Sequence, residues 1–187
     1  IPIQLKSEDL FITGKTVPPI TYKYFIKKYK ELMQSMEVLR SKPDTESGRL
    51  IQADYLQQLS KLHQDYSKIC KRAKRNEMLE KAIELQLQSL EIKKSMFSEN
   101  HPEIVNSYLS LSTLYSDYKK SDLALEFGFK AVSSLEKIFG TNHLMIAASY
   151  AYITSLYINM NQVELAREYI QKTVTIMQRA LPDGDPE

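Results

Sequence analysis

The stretch HPEIVNSYLSLSTLY (residues 101–115) returns forty-two residues later as HLMIAASYAYITSLY (143–157). Aligned without a gap, 99–139 and 141–181 share twelve residues. Among them are His101/His143, Ile104/Ile146, Tyr108/Tyr150, Leu114/Leu156, Tyr115/Tyr157, Ala124/Ala166 and Val132/Val174. A fixed period of this length is the mark of a repeat array, in which one supersecondary unit is written several times and stacks on itself.

Composition agrees with such an array. Hydrophobic residues make up 43% and charged residues 26% of the 187, a balance that folds in water. Five Gly and seven Pro are few, and the prolines gather near the ends, leaving long uninterrupted segments that favour helix. A net charge of +2 argues against a chain dominated by phosphate binding. One cysteine, Cys70, excludes an internal disulfide and a Cys-rich zinc module and fits a reducing, cytoplasmic setting. No apolar run approaches the ~18–20 residues of a membrane span. The chain begins at Ile1, as a fragment of a longer protein would.

Periodicity divides the chain. Residues 1–20, with Pro2, Gly14 and Pro18-Pro19, read as an extended lead-in. In 21–40, Tyr22, Phe25, Ile26, Tyr29, Leu32, Met33, Met36 and Leu39 recur at spacings of three and four, which predicts an amphipathic helix. SKPDTESGR (41–49) reads as a loop. Further helices are expected over 50–75, 77–97, 102–118, 121–138, 144–159 and 162–180, followed by an acidic tail, 182–187. The domain reading is a 21–49 helix and loop, then repeats of about 50–97, 98–139 and 140–181. Asn100 and Asn142 stand where N-terminal caps are needed, and Asp122 and Glu164 complement the dipoles of their helices.

The positional code resembles the tetratricopeptide repeat, a helix–turn–helix unit. Its large–aliphatic–small–aromatic pattern is matched by Tyr108, Leu111, Ser112 and Tyr115, with Ala124 and Ala131 in the second helix. It returns as Tyr150, Ile153, Thr154 and Tyr157, with Ala166 and Thr173. Stepping back forty-two residues gives a weaker unit of Tyr66, Ile69, Cys70 and Ala73, with Ala82 and Ser89. The long period and the Phe-Gly-Thr-Asn-His step (139–143) are similar to the kinesin light chain type of this repeat. The departures are Leu144 where that linker has Pro, Gly128 where an aromatic is usual, and Glu136 where Pro is frequent. ALEFGFKAV (124–132) followed by FGTNH is also similar to the C-terminal helical region of SET-and-MYND lysine methyltransferases. The catalytic SET domain and zinc finger of that family have no counterpart in these residues. Both resemblances imply an all-α short superhelix of helical hairpins with one extra N-terminal helix.

Reactive chemistry finds no foothold in the pattern. His101 and His143 are repeat-equivalent, so with His63 they read as structural residues and not as ligands converging on one ion at ~2 Å. Cys70 occupies a small-residue position and reads as a buried, inert thiol. There is no phosphate-binding glycine loop, nucleophile elbow or zinc-binding His-Glu pair, and no carboxylate pair suited to acid–base work. The expectation is therefore a non-enzyme without cofactor or metal.

The basic run KICKRAKR (68–75) has two readings: a solvated helix end whose cations complement the C-terminal dipole, or one edge of a binding groove. In the resembled family the first helix of each repeat lines a concave groove. That implies Lys68, Lys71, Lys74 and Arg75 in the first unit. It implies Asn106 and Thr113 in the second, and Tyr152, Ser155 and Asn159 in the third, with Tyr152 as an aromatic anchor outside the packing code. A groove basic at one end suits a protein or peptide partner with acidic residues, not nucleic acid, for which an interleaved aromatic platform is missing. The function implied is a protein–protein interaction scaffold or adaptor within a larger complex, cytoplasmic and cytoskeleton-associated. The alternatives are the regulatory region of a lysine methyltransferase, or a structural link in a cytoskeletal assembly.

Overall fold

The computed structural model describes residues 11–12, 15–16, 19–41 and 44–180. Within them lie β1 (Phe11–Ile12), β2 (Lys15–Thr16) and seven helices: α1 (Pro19–Arg40), α2 (Glu46–Ser67), α3 (Arg72–Met96), α4 (Pro102–Asp117), α5 (Ser121–Phe139), α6 (Leu144–Asn159) and α7 (Val163–Ala180). The fold is all-α helical repeats, apart from the two-residue antiparallel pairing of β1 with β2. Most of the expected lead-in and the whole acidic tail lie outside the described residues. Two compact units divide the chain, Ile1–Met96 and Phe97–Glu187.

In the first unit α1 lies on α2, and α2 pairs with α3. α1 begins at Pro19, two residues earlier than expected, because a proline in the first turn forfeits no intrahelical hydrogen bond. Phe25, Leu32 and Met36 of its stripe are buried, whereas Met33 is exposed, so the apolar face is narrower than the sequence suggests. α2 starts inside the expected loop. Thr45 Oγ1 accepts from Gly48 N at 3.0 Å, and this cap, with Glu46 in the first turn, starts the helix despite Gly48. The expected helix over 50–75 is broken: Lys68–Lys71 form a turn, and Arg72–Arg75 open α3. Cys70 accordingly sits in the turn and not at a helix–helix contact, although it is buried with Phe25, Tyr66 and Met78.

The second unit holds two hairpins built alike. In the α4–α5 turn the backbone N–H groups of Tyr118, Lys119 and Lys120 donate to Leu114, Ser116 and Tyr115. In the α6–α7 turn, Met160, Asn161 and Gln162 donate to Leu156, Ile158 and Tyr157, the same bonds forty-two residues on. Lys119 and Asn161, at equivalent places, both take left-handed backbone, with φ of 64° and 58°. Each hairpin is entered through a histidine. His101 Nδ1 accepts from Glu103 N and His143 Nδ1 from Met145 N, both at 3.2 Å. The rings stack on Phe97 and Phe139, with centroids 4.0 and 4.4 Å away. The caps are thus histidines and not the preceding asparagines, because the imidazole can both accept the free N–H and lie flat on the preceding aromatic.

Gly128 explains its own departure from the pattern. A Cβ there would stand 3.3 Å from Ser112 Oγ and 3.6 Å from Ile153 Cγ1, so α6 comes too close to α5 for an aromatic. Glu136, where the family has Pro, accepts a hydrogen bond from the Tyr150 hydroxyl at 3.0 Å. That bond fastens α6 to α5. Burial, and then this bond, push the Tyr150 phenol up to about 12.

Because α6 covers α5, Val132 and Leu135 are buried. Their repeat-equivalents on α7, Val174 and Met177, are 40% and 44% exposed. A chain ending at Phe139 should therefore show α5 to water as the full chain shows α7. We expect it to melt at lower temperature and to self-associate in sedimentation, while equal melting of the two chains would contradict nearest-neighbour stabilisation.

Candidate functional site

Helix hairpins meet through small side chains that also carry hydrogen bonds. In the second unit Ser112 Oγ donates to the Ala124 carbonyl, twelve residues ahead. In the first unit Ser60 Oγ donates to the Ala82 carbonyl, twenty-two residues ahead, at 2.8 Å. Ala82 and Ala124 are forty-two residues apart, but the two serines are fifty-two apart. The first hairpin is therefore ten residues longer at its tip. Its packing code is Leu56, Leu59, Ser60 and His63, not Tyr66, Ile69, Cys70 and Ala73. Leu56, Leu59, Ser60 and His63 are all buried, whereas Ala73 is exposed on α3.

This shift moves the basic run. Lys68 and Lys71 lie in the tip, and Lys74 and Arg75 in the first turn of α3. Lys68 stands at the C-cap of α2, as the helix-end reading expects, whereas Lys71, Lys74 and Arg75 follow in the turn and the start of α3. Lys68 is 3.3 Å from Asp65, and Arg75 Nε donates to the carbonyl of Ser67 at 3.1 Å, which closes the end of α2 from the neighbouring helix. In the corrected register the positions equivalent to the α4 face are Asp54, Gln58, Lys61 and Asp65.

In the second unit Asn106 and Thr113 of α4, and Ser155 and Asn159 of α6, are exposed, as are Ala148 and Ala151 between them. Thr113 and Ser155 turn their hydroxyls onto their own helices, to the Leu109 and Tyr152 carbonyls at 3.0 and 2.7 Å. Asn106 and Asn159 have no hydrogen-bond partner among the described residues, so their amides remain open to a ligand. Tyr152 differs from expectation. It is half-buried, and its hydroxyl lies 3.4 Å from Ser112 Oγ, so it helps seat α6 on α4.

Two buried groups put a polar side chain where the second unit has an aromatic or apolar one, His63 for Tyr115 and Lys93 for Leu135. Lys93, at 0% exposure, donates from Nζ to Gln57 Oε1 at 2.6 Å, with Asp54 Oδ1 at 3.9 Å. His63 is also fully buried, edge-on to Phe25 and Tyr29 at 5.6 and 5.7 Å, and neither ring nitrogen has a hydrogen-bond partner among the described residues. Desolvation, and then the charge of Lys81, hold its imidazole down at about 4, neutral at physiological pH. The only sequence signal for either was a polar letter on an apolar stripe. Among the described residues no three His, Cys, Asp or Glu side chains gather as a metal site, and no helix is long and apolar enough to cross a membrane.

Residues 146–187 match the family model of the tetratricopeptide repeat. Among solved structures, the chain is similar to a Podosopora anserina protein described as a kinesin light chain with nearly identical repeats. The TM-score is 0.65 at 20% identity, covering 89% of this chain and 76% of that one. A single-substitution variant of that protein aligns with a TM-score of 0.55 at 22% identity, covering 72% of this chain. BtubC (BKLC) from P. vanneervenii aligns with a TM-score of 0.61 at 16% identity, covering 91% of this chain. The chain spans 60% of the length of the variant and 63% of BtubC. No curated protein matches by sequence. Residues 146–187 thus carry a tetratricopeptide repeat, and the likenesses to solved structures show that the chain has an all-α helical-repeat fold.

Proposed function

We propose that the chain is a non-enzymatic scaffold that holds a partner protein or peptide on the exposed face of α4 and α6. The observation that carries this is the pair of unpartnered amides, Asn106 and Asn159, on a face where Ala148, Ala151 and Ser155 leave the surface low. Amides can bond to an extended backbone without regard to its sequence, and small neighbours let that backbone approach. In the other unit the basic tip, Lys68 to Arg75, supplies separate contacts for acidic residues of the partner. The likeness to chains described as kinesin light chain supports a cytoskeletal setting for such a scaffold.

The test is a binding titration with kinetics on a partner recovered by affinity capture, run at two salt concentrations. Lys68→Glu with Lys71→Glu should slow association, most at low salt, since screening shortens the reach of charge from about 10 Å at 0.1 M to about 3 Å at 1 M. Asn106→Ala with Asn159→Ala should speed dissociation about tenfold by removing direct hydrogen bonds. Lys130→Glu, on the outer side of α5, should change neither rate. If only the Lys130 variant loses binding, the α4–α6 face is not the site and the chain acts as a structural link through its other surface.

A further inference from the structure

The first unit gathers positive charge at one end. Residues 19–30 and 66–76 hold nine of the chain's 25 Lys and Arg and none of its 23 Asp and Glu, so all other residues carry sixteen basic groups against twenty-three acidic. The two segments are distant in sequence, but α1 runs antiparallel to α2 and joins them. Phe25 stacks on Tyr66 at 4.3 Å, Tyr22 lies 6.4 Å from the same ring, and Tyr24 and Ile69 border one α1–α2 cleft. The start of α1 and the tip that carries Lys68, Lys71, Arg72, Lys74 and Arg75 therefore share one end of the unit.

The placement and kind of these groups say what fits there. Lys23 and Lys27 lie on the side of α1 away from Phe25, Leu32 and Met36, which pack on α2, so the charge covers an outer face and does not line a cleft. Asp65 offsets Lys68 at 3.3 Å, but Lys23, Lys27 and Arg72 are exposed and have no ion-pair partner among the described residues. Seven of the nine cations are Lys, compact point charges suited to a diffuse negative field, where planar bidentate recognition would call for Arg. Beside them Tyr24 is 61% exposed, an aromatic with a polar tip of the kind that settles at headgroup level.

We propose that this end of the first unit docks on the surface of a bilayer containing anionic lipids, with Lys23, Lys27 and the basic tip against the headgroups and Tyr24 among them. The negative remainder of the chain is repelled by the same surface, so charge alone turns this end toward the lipid. The inference goes beyond the scaffold reading and leaves the α4–α6 face free to hold a partner. An acidic partner and the bilayer would compete for the tip.

The test is co-sedimentation of the full chain with vesicles of phosphatidylcholine containing about 30% phosphatidylserine, against vesicles of phosphatidylcholine alone. The chain should bind the first at about 0.1 M salt and not the second, and should be released at about 1 M, where the reach of charge falls to about 3 Å. Lys23→Gln with Lys27→Gln should weaken binding at least about tenfold, since each basic group near an anionic surface contributes about fivefold. Lys119→Gln with Lys120→Gln, exposed in the other unit, should leave it unchanged, as should Asn106→Ala with Asn159→Ala. The chain has no Trp, so Tyr24→Trp supplies a single indole, whose emission should move to shorter wavelength on the anionic vesicles only. Equal binding to both vesicles, an unmoved indole emission, or equal losses in the Lys23/Lys27 and Lys119/Lys120 variants overturns the proposal. Failure to bind either vesicle also overturns it; if polyglutamate still captures the chain, the tip belongs to an acidic protein and the scaffold reading stands.

Discussion

Replacing Ala124 by Asp is expected to remove about 3–5 kcal/mol of stability, the largest effect of any single change considered for this chain. Ala124 has 0% exposure, and its carbonyl receives the Ser112 hydroxyl, so α4 and α5 meet at this point with no room for a carboxylate. The substitution buries a charge at a close helix contact, and it pushes apart the helices on which α6 is seated. Urea denaturation followed by circular dichroism measures the loss. Ala124→Ser should cost far less, since it adds one small group able to bond locally. Parent-like unfolding of the Asp variant would mean that the α4–α5 contact does not exist as described.

The second large effect is a loss of stability in mild acid that belongs to His63. The neutral imidazole is enclosed by Phe25 and Tyr29, and its pKa is lowered from 6.5 to about 4 by burial and by Lys81. Above pH 6.5 the ring is neutral in the folded and unfolded chains alike, and its contribution is fully present. As pH falls from 6.5 towards 4 the unfolded chain takes up the proton and the folded one does not. Stability drains away through that window by about 3 kcal/mol, at ~1.4 kcal/mol per pH unit. Carboxylates titrate in part of the same range, so the comparison that isolates His63 is with His63→Phe. That variant keeps an aromatic ring at the place where the second hairpin has Tyr115. Unfolding free energies measured at pH 7.5, 6, 5 and 4.5 should converge less steeply on zero for His63→Phe than for the parent. Parallel pH curves for the two would show that His63 charges freely in the folded chain.

Sequence alone determined the repeat class, because forty-two-residue identity between two hairpins survives any uncertainty about helix ends. It also determined the contact pairs within those hairpins. Tyr108, Leu111, Ser112 and Ala124 pack as their spacing requires, since small residues at fixed steps are the condition for two helices to approach. Asn106, Thr113, Ser155 and Asn159, which the resemblance implied as groove positions, are exposed.

Only tertiary structure decided the first hairpin. Its ten additional residues lengthen both helices at the tip without disturbing the small-residue contact of Ser60 with Ala82. A period read backwards from 101–181 therefore lands on Tyr66 and Cys70, where the side chains are buried for a different reason: α1 lies over them. Nothing local marks the slip, because an amphipathic helix can gain turns without changing its apolar spacing. The histidine caps, the Glu136–Tyr150 bond and the α1–α2 cleft escaped the sequence for a related reason. Each depends on which residue of one element faces which residue of another, and periodicity along a chain carries the direction of a face but not the identity of what lies opposite it.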